Sequence, residues 1–119
     1  MRVPQNVLDC VCGSKPEDWH QHSNGKGWVY KTAKVEESAY LHSTSIVSGN
    51  ALVSGDAWVF GDARVSGDAW VSGDARVSGN ALVSGNARVS GNALVYGNAW
   101  VSGNAWVYGN AWVVDFLQN

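Results

Sequence analysis

From Val47 to Trp112 the chain repeats one six-residue phrase eleven times without a gap: VSGNAL, VSGDAW, VFGDAR, VSGDAW, VSGDAR, VSGNAL, VSGNAR, VSGNAL, VYGNAW, VSGNAW, VYGNAW. A unit this short cannot bury its own apolar side, so a strict repeat of it folds by stacking on copies of itself. Across each unit boundary the sixth, first and second residues form triplets such as Trp58-Val59-Phe60 and Arg64-Val65-Ser66, the outward-inward-outward order of a short strand. Gly in third place and Asn or Asp in fourth tolerate positive φ most readily, which predicts a corner there with the fifth-place Ala tucked inside it. A corner every six residues predicts triangular coils of roughly 18 residues, stacked at about 4.8 Å.

The aliphatic first and small fifth residue recur as Val47/Ala51, Val53/Ala57, Val59/Ala63 and onward to Val107/Ala111. This pattern resembles the hexapeptide-repeat, left-handed parallel β-helix family. The resemblance implies an all-β, single-domain left-handed parallel β-helix. The left hand comes from the family alone, because parallel crossovers are ordinarily right-handed. The wording GNA-x-V, preceded by Gly27-Trp28-Val29, is also similar to a group of phage and prophage hexapeptide proteins of undefined function.

A chain of 119 residues is read as one domain. Its net charge of −2 leaves no electrostatic footprint for nucleic acid or an anionic membrane. No apolar run approaches the roughly 20 residues of a membrane span, and the first residues lack the order of a signal peptide, so a cytoplasmic location in a bacterium or phage-infected cell is expected. Residues 1–28 carry no repeat and are read as an N-terminal cap, with Val7, Leu8 and Val11 as an apolar cluster and Ser14 to Asp18 as a helix start. Weakened hexads begin at Val29 (Val29/Ala33, Val35/Ala39, Leu41/Ser45), which places the β-helix at 29–114. Residues 115–119 are read as a C-terminal plug, with Phe116 or Leu117 folded over the open end.

The expected period assigns the outward residues to three walls. The first shows Trp28, Ile46, Arg64, Leu82 and Trp100; the second Lys34, Leu52, Trp70, Arg88 and Trp106. The third shows Tyr40, Trp58, Arg76, Leu94 and Trp112 beside His42, Phe60, Ser78, Tyr96 and Val114, and is the most aromatic. Each repeat Arg is placed between large apolar neighbours, where guanidinium can stack on indole. The corner column Asn50, Asp68, Asn86, Asn104 allows side chains to bond one another, while Asp56, Asp62, Asp68 and Asp74 spread around three corners rather than forming one acidic stripe.

No charged residue occurs from Val89 to Val114, yet Leu94, Tyr96, Trp100, Trp106, Tyr108 and Trp112 are expected outside there. A girdle of this kind predicts a covering partner. The family resemblance implies a homotrimer, and the third wall is the expected contact through Tyr40, Trp58, Phe60, Tyr96 and Trp112, with His42, Arg76, Leu94, Trp100, Trp106 and Tyr108 as further candidates for an oligomer or partner contact. The expected function is a non-catalytic β-helical interaction protein presenting a rigid aromatic surface to a protein partner, extending through the phage resemblance to binding and inhibiting a host defence protein. The alternatives are a hexapeptide-type acyltransferase with a reduced active site, and a carbohydrate-binding or virion structural β-helix. The family's acyltransferases use a histidine base and an extra loop; here no insertion interrupts residues 29–112 and His42 is the sole histidine of the repeats. Neither a catalytic residue nor a cofactor is assigned. Cys10, Cys12, His20 and His22 form a weak zinc-like set whose one-residue spacings depart from ordinary ligand spacings.

Overall fold

The computed structural model describes residues 3–8, 14–113 and 116–118. It is a β-solenoid of about five coils, with three sheets as the three walls of a triangular prism. One wall is a seven-stranded sheet and the other two are five-stranded. Partners among the coil strands are parallel and one coil apart, as in Trp58↔Arg76, Arg76↔Leu94 and Leu94↔Trp112; the seven-stranded wall adds one antiparallel pair at its lower edge. The corner side chains bond at the same separation of 18 residues, for example Asn86 Nδ2 to Asn104 Oδ1 at 3.4 Å.

The core is built from the first and fifth residues of the hexads. From Val47 to Val107 every first-place Val is essentially inaccessible, as is every fifth-place Ala from Ala51 to Ala105. The β-branched Val suits the pleated inner face, and a small residue fills the inside of the corner: Ala in the regular hexads and Ser45 in the Leu41 hexad. The repeat glycines from Gly49 to Gly109 all have φ near +65°, the conformation that only the loss of Cβ makes easy.

The weakened hexads turn differently. Lys31-Thr32, Glu37-Ser38 and Ser43-Thr44 make their corners without positive φ. Each closes on a backbone bond of 2.8–3.0 Å from the fifth residue back to the second, such as Ala33 N–H to Tyr30 O, shorter than the same bond at the glycine corners, such as Ala51 N–H to Ser48 O at 3.4 Å. The Thr32, Ser38 and Thr44 hydroxyls donate to the carbonyls of Gly49, Gly55 and Gly61 in the next coil. Hydroxyl side chains thus stitch the first coil to the regular ones above it.

The N-terminal segment runs along the side of the prism as well as beneath it. Val3 and Val7, from the short helix Gln5–Leu8 and its lead-in, pack with Trp19 on Trp28 and Ile46, forming a second buried cluster outside the first wall. Trp28 and Ile46 are therefore interior residues and not outward ones, because this segment covers them. Val11 lies outside the described residues. The helix start expected near Ser14 to Asp18 is a single 3-10 turn, Pro16–Asp18. The strand Trp19–Gln21 then pairs antiparallel with Trp28–Tyr30 and closes the lower edge of the first wall. Residues 22–27 lie against Tyr40–Leu41 through Leu41 N–H to Asn24 O (3.0 Å) and Gly27 N–H to Leu41 O (2.8 Å). Asp18 accepts bonds from Lys15 N–H and Lys31 Nζ, both of which hold its carboxyl below the usual carboxylate range; the same contact raises Lys31.

At the other end, Phe116–Gln118 pairs in parallel with Trp100–Ser102 and continues the first wall. The expected packing of Phe116 or Leu117 over the end concerns side chains outside the described residues. Over the second and third walls the last coil is more open, with Ala111 exposed and Val113 half-buried where their counterparts below are sealed.

Candidate binding surface

The third wall carries two aromatic clusters. In the lower one Tyr40 and Trp58 lie 5.5 Å apart, Trp58 meets Phe60 edge-on at 6.1 Å, and Tyr40 lies 6.5 Å from the His42 ring. In the upper one Tyr96 and Trp112 meet edge-on at 6.1 Å. Between them Ser78 is buried and Arg76 spreads over the Trp58 ring at 5.2 Å. From Tyr40 to Tyr96 these residues project from, or directly follow, strands whose alternate residues are locked in the core, so that part of the surface is preorganised rather than adaptable; Trp112 stands between exposed Ala111 and half-buried Val113.

The expected outward set divides by exposure. Tyr40, His42, Phe60, Leu94 and Tyr96 are half-buried, whereas Trp58 and Arg76 stand exposed. Exposure of the large aromatics climbs toward the last coil, from 46% at Trp58 to 60% at Trp106, 64% at Tyr108 and 70% at Trp112. Trp100, on the first wall, is also exposed. Trp106 and Tyr108 meet edge-on at 6.5 Å at the top of the second wall. Of the expected girdle, Trp100, Trp106, Tyr108 and Trp112 are exposed and between them stand on all three walls, while Leu94 and Tyr96 are half-buried.

The three arginines of the repeats have three environments. Arg88 is sandwiched on the second wall, 4.9 Å from the Trp70 ring and 5.4 Å from Trp106. Arg76 has one aromatic face, Trp58, and Leu94 on its other side. Arg64 is paired with Ile46 and Leu82 and has none. At about 0.5–1 kcal/mol per exposed cation–π contact, Arg88→Ala is expected to lose about 1–2 kcal/mol of stability and Arg76→Ala about half as much. Thermal unfolding of the two variants checks this, and equal losses would show that stacking is not the source.

His42 Nδ1 is held by Thr44, 2.9 Å from its hydroxyl oxygen and 3.2 Å from its N–H. Its orienting partner is thus a hydroxyl and not the carboxylate that would stabilise an imidazolium during base catalysis. His22 is buried, with Nε2 at 2.8 Å from Ala39 O, while His20 faces solvent from the neighbouring strand. The two histidines therefore do not converge, and Cys10 and Cys12 lie outside the described residues. Among the described residues no three His, Cys, Asp or Glu side chains come together as metal ligands, and no helix is long and apolar enough to cross a membrane.

One feature of the third wall was not legible as part of a site. Asp56, Asp74 and Asn92 stand at the corner just before Trp58, Arg76 and Leu94, and together with Trp112 they line a groove of about 470 Å³. The signal was their placement two residues upstream of each outward side chain, which in a stacked fold puts two columns side by side.

Residues 47–60, 59–73, 75–90 and 87–103 each match the family model of the YdcK β-solenoid repeat. This is a β-solenoid repeat protein. The matched stretches lie within the regular hexads, so the similarity concerns the solenoid walls and not the N-terminal segment. No curated protein and no solved structure matches the chain.

Proposed function

We propose that this solenoid is a non-catalytic binding scaffold. The lower aromatic cluster of the third wall joins copies of the chain into a homotrimer, and the upper aromatic end meets a protein partner. The observation that carries the reading is the distribution of aromatic surface: two rigid clusters on one wall whose strands contribute a single fixed charge, Arg76, and that charge is spread over Trp58. Interfaces are enriched in Trp, Tyr, Phe and Arg and depleted in other charges, which is the composition of this wall. The first wall is partly covered by the chain's own N-terminal segment, and the second begins with Lys34 and Glu36, so both are poorer contact faces. The sequence resemblance to phage hexapeptide proteins supports a host protein as the partner, with inhibition following from occupancy. The hydroxyl-held His42 supports the non-catalytic reading over an acyltransferase.

Light scattering tests the assembly. The wild type is expected at three times the monomer mass, and Trp58→Ser with Phe60→Ser at the monomer mass with an unchanged circular dichroism spectrum. A monomeric wild type overturns the trimer, and a trimeric double variant overturns the choice of wall.

A further inference from the structure

The second and third walls build the same kind of ladder, with one difference. On the second, Trp70, Arg88 and Trp106 form an unbroken stack whose flat groups repeat at 4.9 and 5.4 Å, so the arginine is covered on both faces. On the third, the order is Trp58, Arg76, Leu94, Trp112, and Arg76 is covered on its Trp58 face only. Leu94 is shorter than its neighbours. It lines the groove together with Trp58 and Arg76 below it and Trp112 above it in the ladder, and its short side chain leaves a slot between Arg76 and Trp112. The strands bearing those two residues are two coils apart, which is about 10 Å. A flat ring placed above Leu94 would stand about 5 Å from each, the spacing at which the second-wall ladder stacks and at which both cation–π and aromatic pairs are favourable.

The side of the slot is polar. Asp56, Asp74 and Asn92 line it from the corner column. Asn92 donates its Nδ2 to Asn110, whereas the Asp56 and Asp74 carboxylates have no hydrogen bond or ion pair among the described residues. An acceptor row beside an aromatic slot selects a ring that carries a donor on its edge.

We infer that the slot above Leu94 is a recognition site for an aromatic ring bearing an O–H donor, the tyrosine side chain of a protein partner. The ring completes the Trp58, Arg76, Trp112 ladder, and its hydroxyl donates to Asp74. This inference deepens the proposed function by naming what the upper end recognises, and it rests on that end being the partner-facing one. It lies above the Tyr40, Trp58, Phe60 cluster assigned to self-association and shares Trp58 with it at the lower end of the groove.

The probe is 4-methylphenol, the tyrosine side-chain analogue, titrated into the full nitrogen-15-labelled chain while the indole N–H signal of Trp112 and the Nε–H signal of Arg76 are followed. Saturable shifts at both are expected, with 4-methylanisole, which lacks the donor, binding about tenfold more weakly. Asp74→Asn is expected to remove most of that preference while sparing anisole binding. Leu94→Trp, which fills the slot from within, and Trp112→Ser, which removes its upper side at an exposed position, are each expected to abolish binding. If Leu94→Trp fails to fold, Trp112→Ser still decides. No saturable shift in the wild type, or equal binding of phenol and anisole, overturns the site. So does binding that survives Trp112→Ser. A monomeric protein that still binds the phenol refutes the trimer and leaves the slot standing, whereas a trimer that ignores it refutes the slot alone.

Discussion

Val71→Asp is expected to abolish the cooperative fold, whereas Ser72→Asp, one residue along the same wall, is expected to leave it within about 0.5 kcal/mol. Val71 is fully buried and stacked between Val53 and Val89 of the adjoining coils. A carboxylate there would sit in a core of Val and Ala without a hydrogen-bond donor, and an unpaired buried charge costs several kcal/mol even after relaxation. That is comparable with the whole stability of a small domain, about 5–15 kcal/mol. The loss falls in the middle coil, where both stacking interfaces depend on it, and a solenoid is stabilised mainly through contacts between neighbours. Ser72 is only half-buried and points outward, so a charge at that position remains solvated. Urea denaturation followed by circular dichroism reads both variants. A folded Val71→Asp with an unchanged midpoint would show that the inside and outside of the wall are assigned wrongly.

Gly67→Ala and Gly109→Ala should differ although both glycines have φ near +65°. An alanine in the left-handed region costs about 1–2 kcal/mol wherever it is placed. At Gly67 the added Cβ would also lie 2.9 Å from Gly85 N and 3.0 Å from its carbonyl oxygen, and that backbone is held by its own coil. Overpacking of this kind adds about 1–3 kcal/mol. At Gly109 the Cβ would meet nothing within 4 Å. The expected losses are about 1.5–4 kcal/mol for Gly67→Ala and about 1 kcal/mol for Gly109→Ala, each lessened by the reduced freedom of the unfolded chain. Thermal or urea midpoints check the ranking. Equal losses would mean that the close approach of coil to coil is not the reason for Gly at these corners.

The hexad by itself determined which residues face inward, where the chain turns and which side chains stack. Each of these follows from a period that stays constant over eleven units, and stacking leaves one register that buries every first and fifth residue. The Asn50 to Asp68 and Asn86 to Asn104 bonds are legible for the same reason, as is the position of Arg88 between two tryptophans. Only the tertiary structure decided the fate of residues whose neighbours come from outside the repeat. Trp28 and Ile46 hold outward positions by period and are nonetheless buried, because a non-repeating segment turns its Val3, Val7 and Trp19 onto them. The Lys31-Thr32, Glu37-Ser38 and Ser43-Thr44 corners avoid positive φ and rely on hydroxyls reaching the coil above, contacts that lie 16 or 17 residues away in sequence. The groove beside Leu94 depends on how far Arg76 leans toward Trp58 and on two carboxylates left without partners. A period fixes the column in which a side chain stands; the depth to which it is covered, and the direction in which it leans, are set by side chains packing in three dimensions.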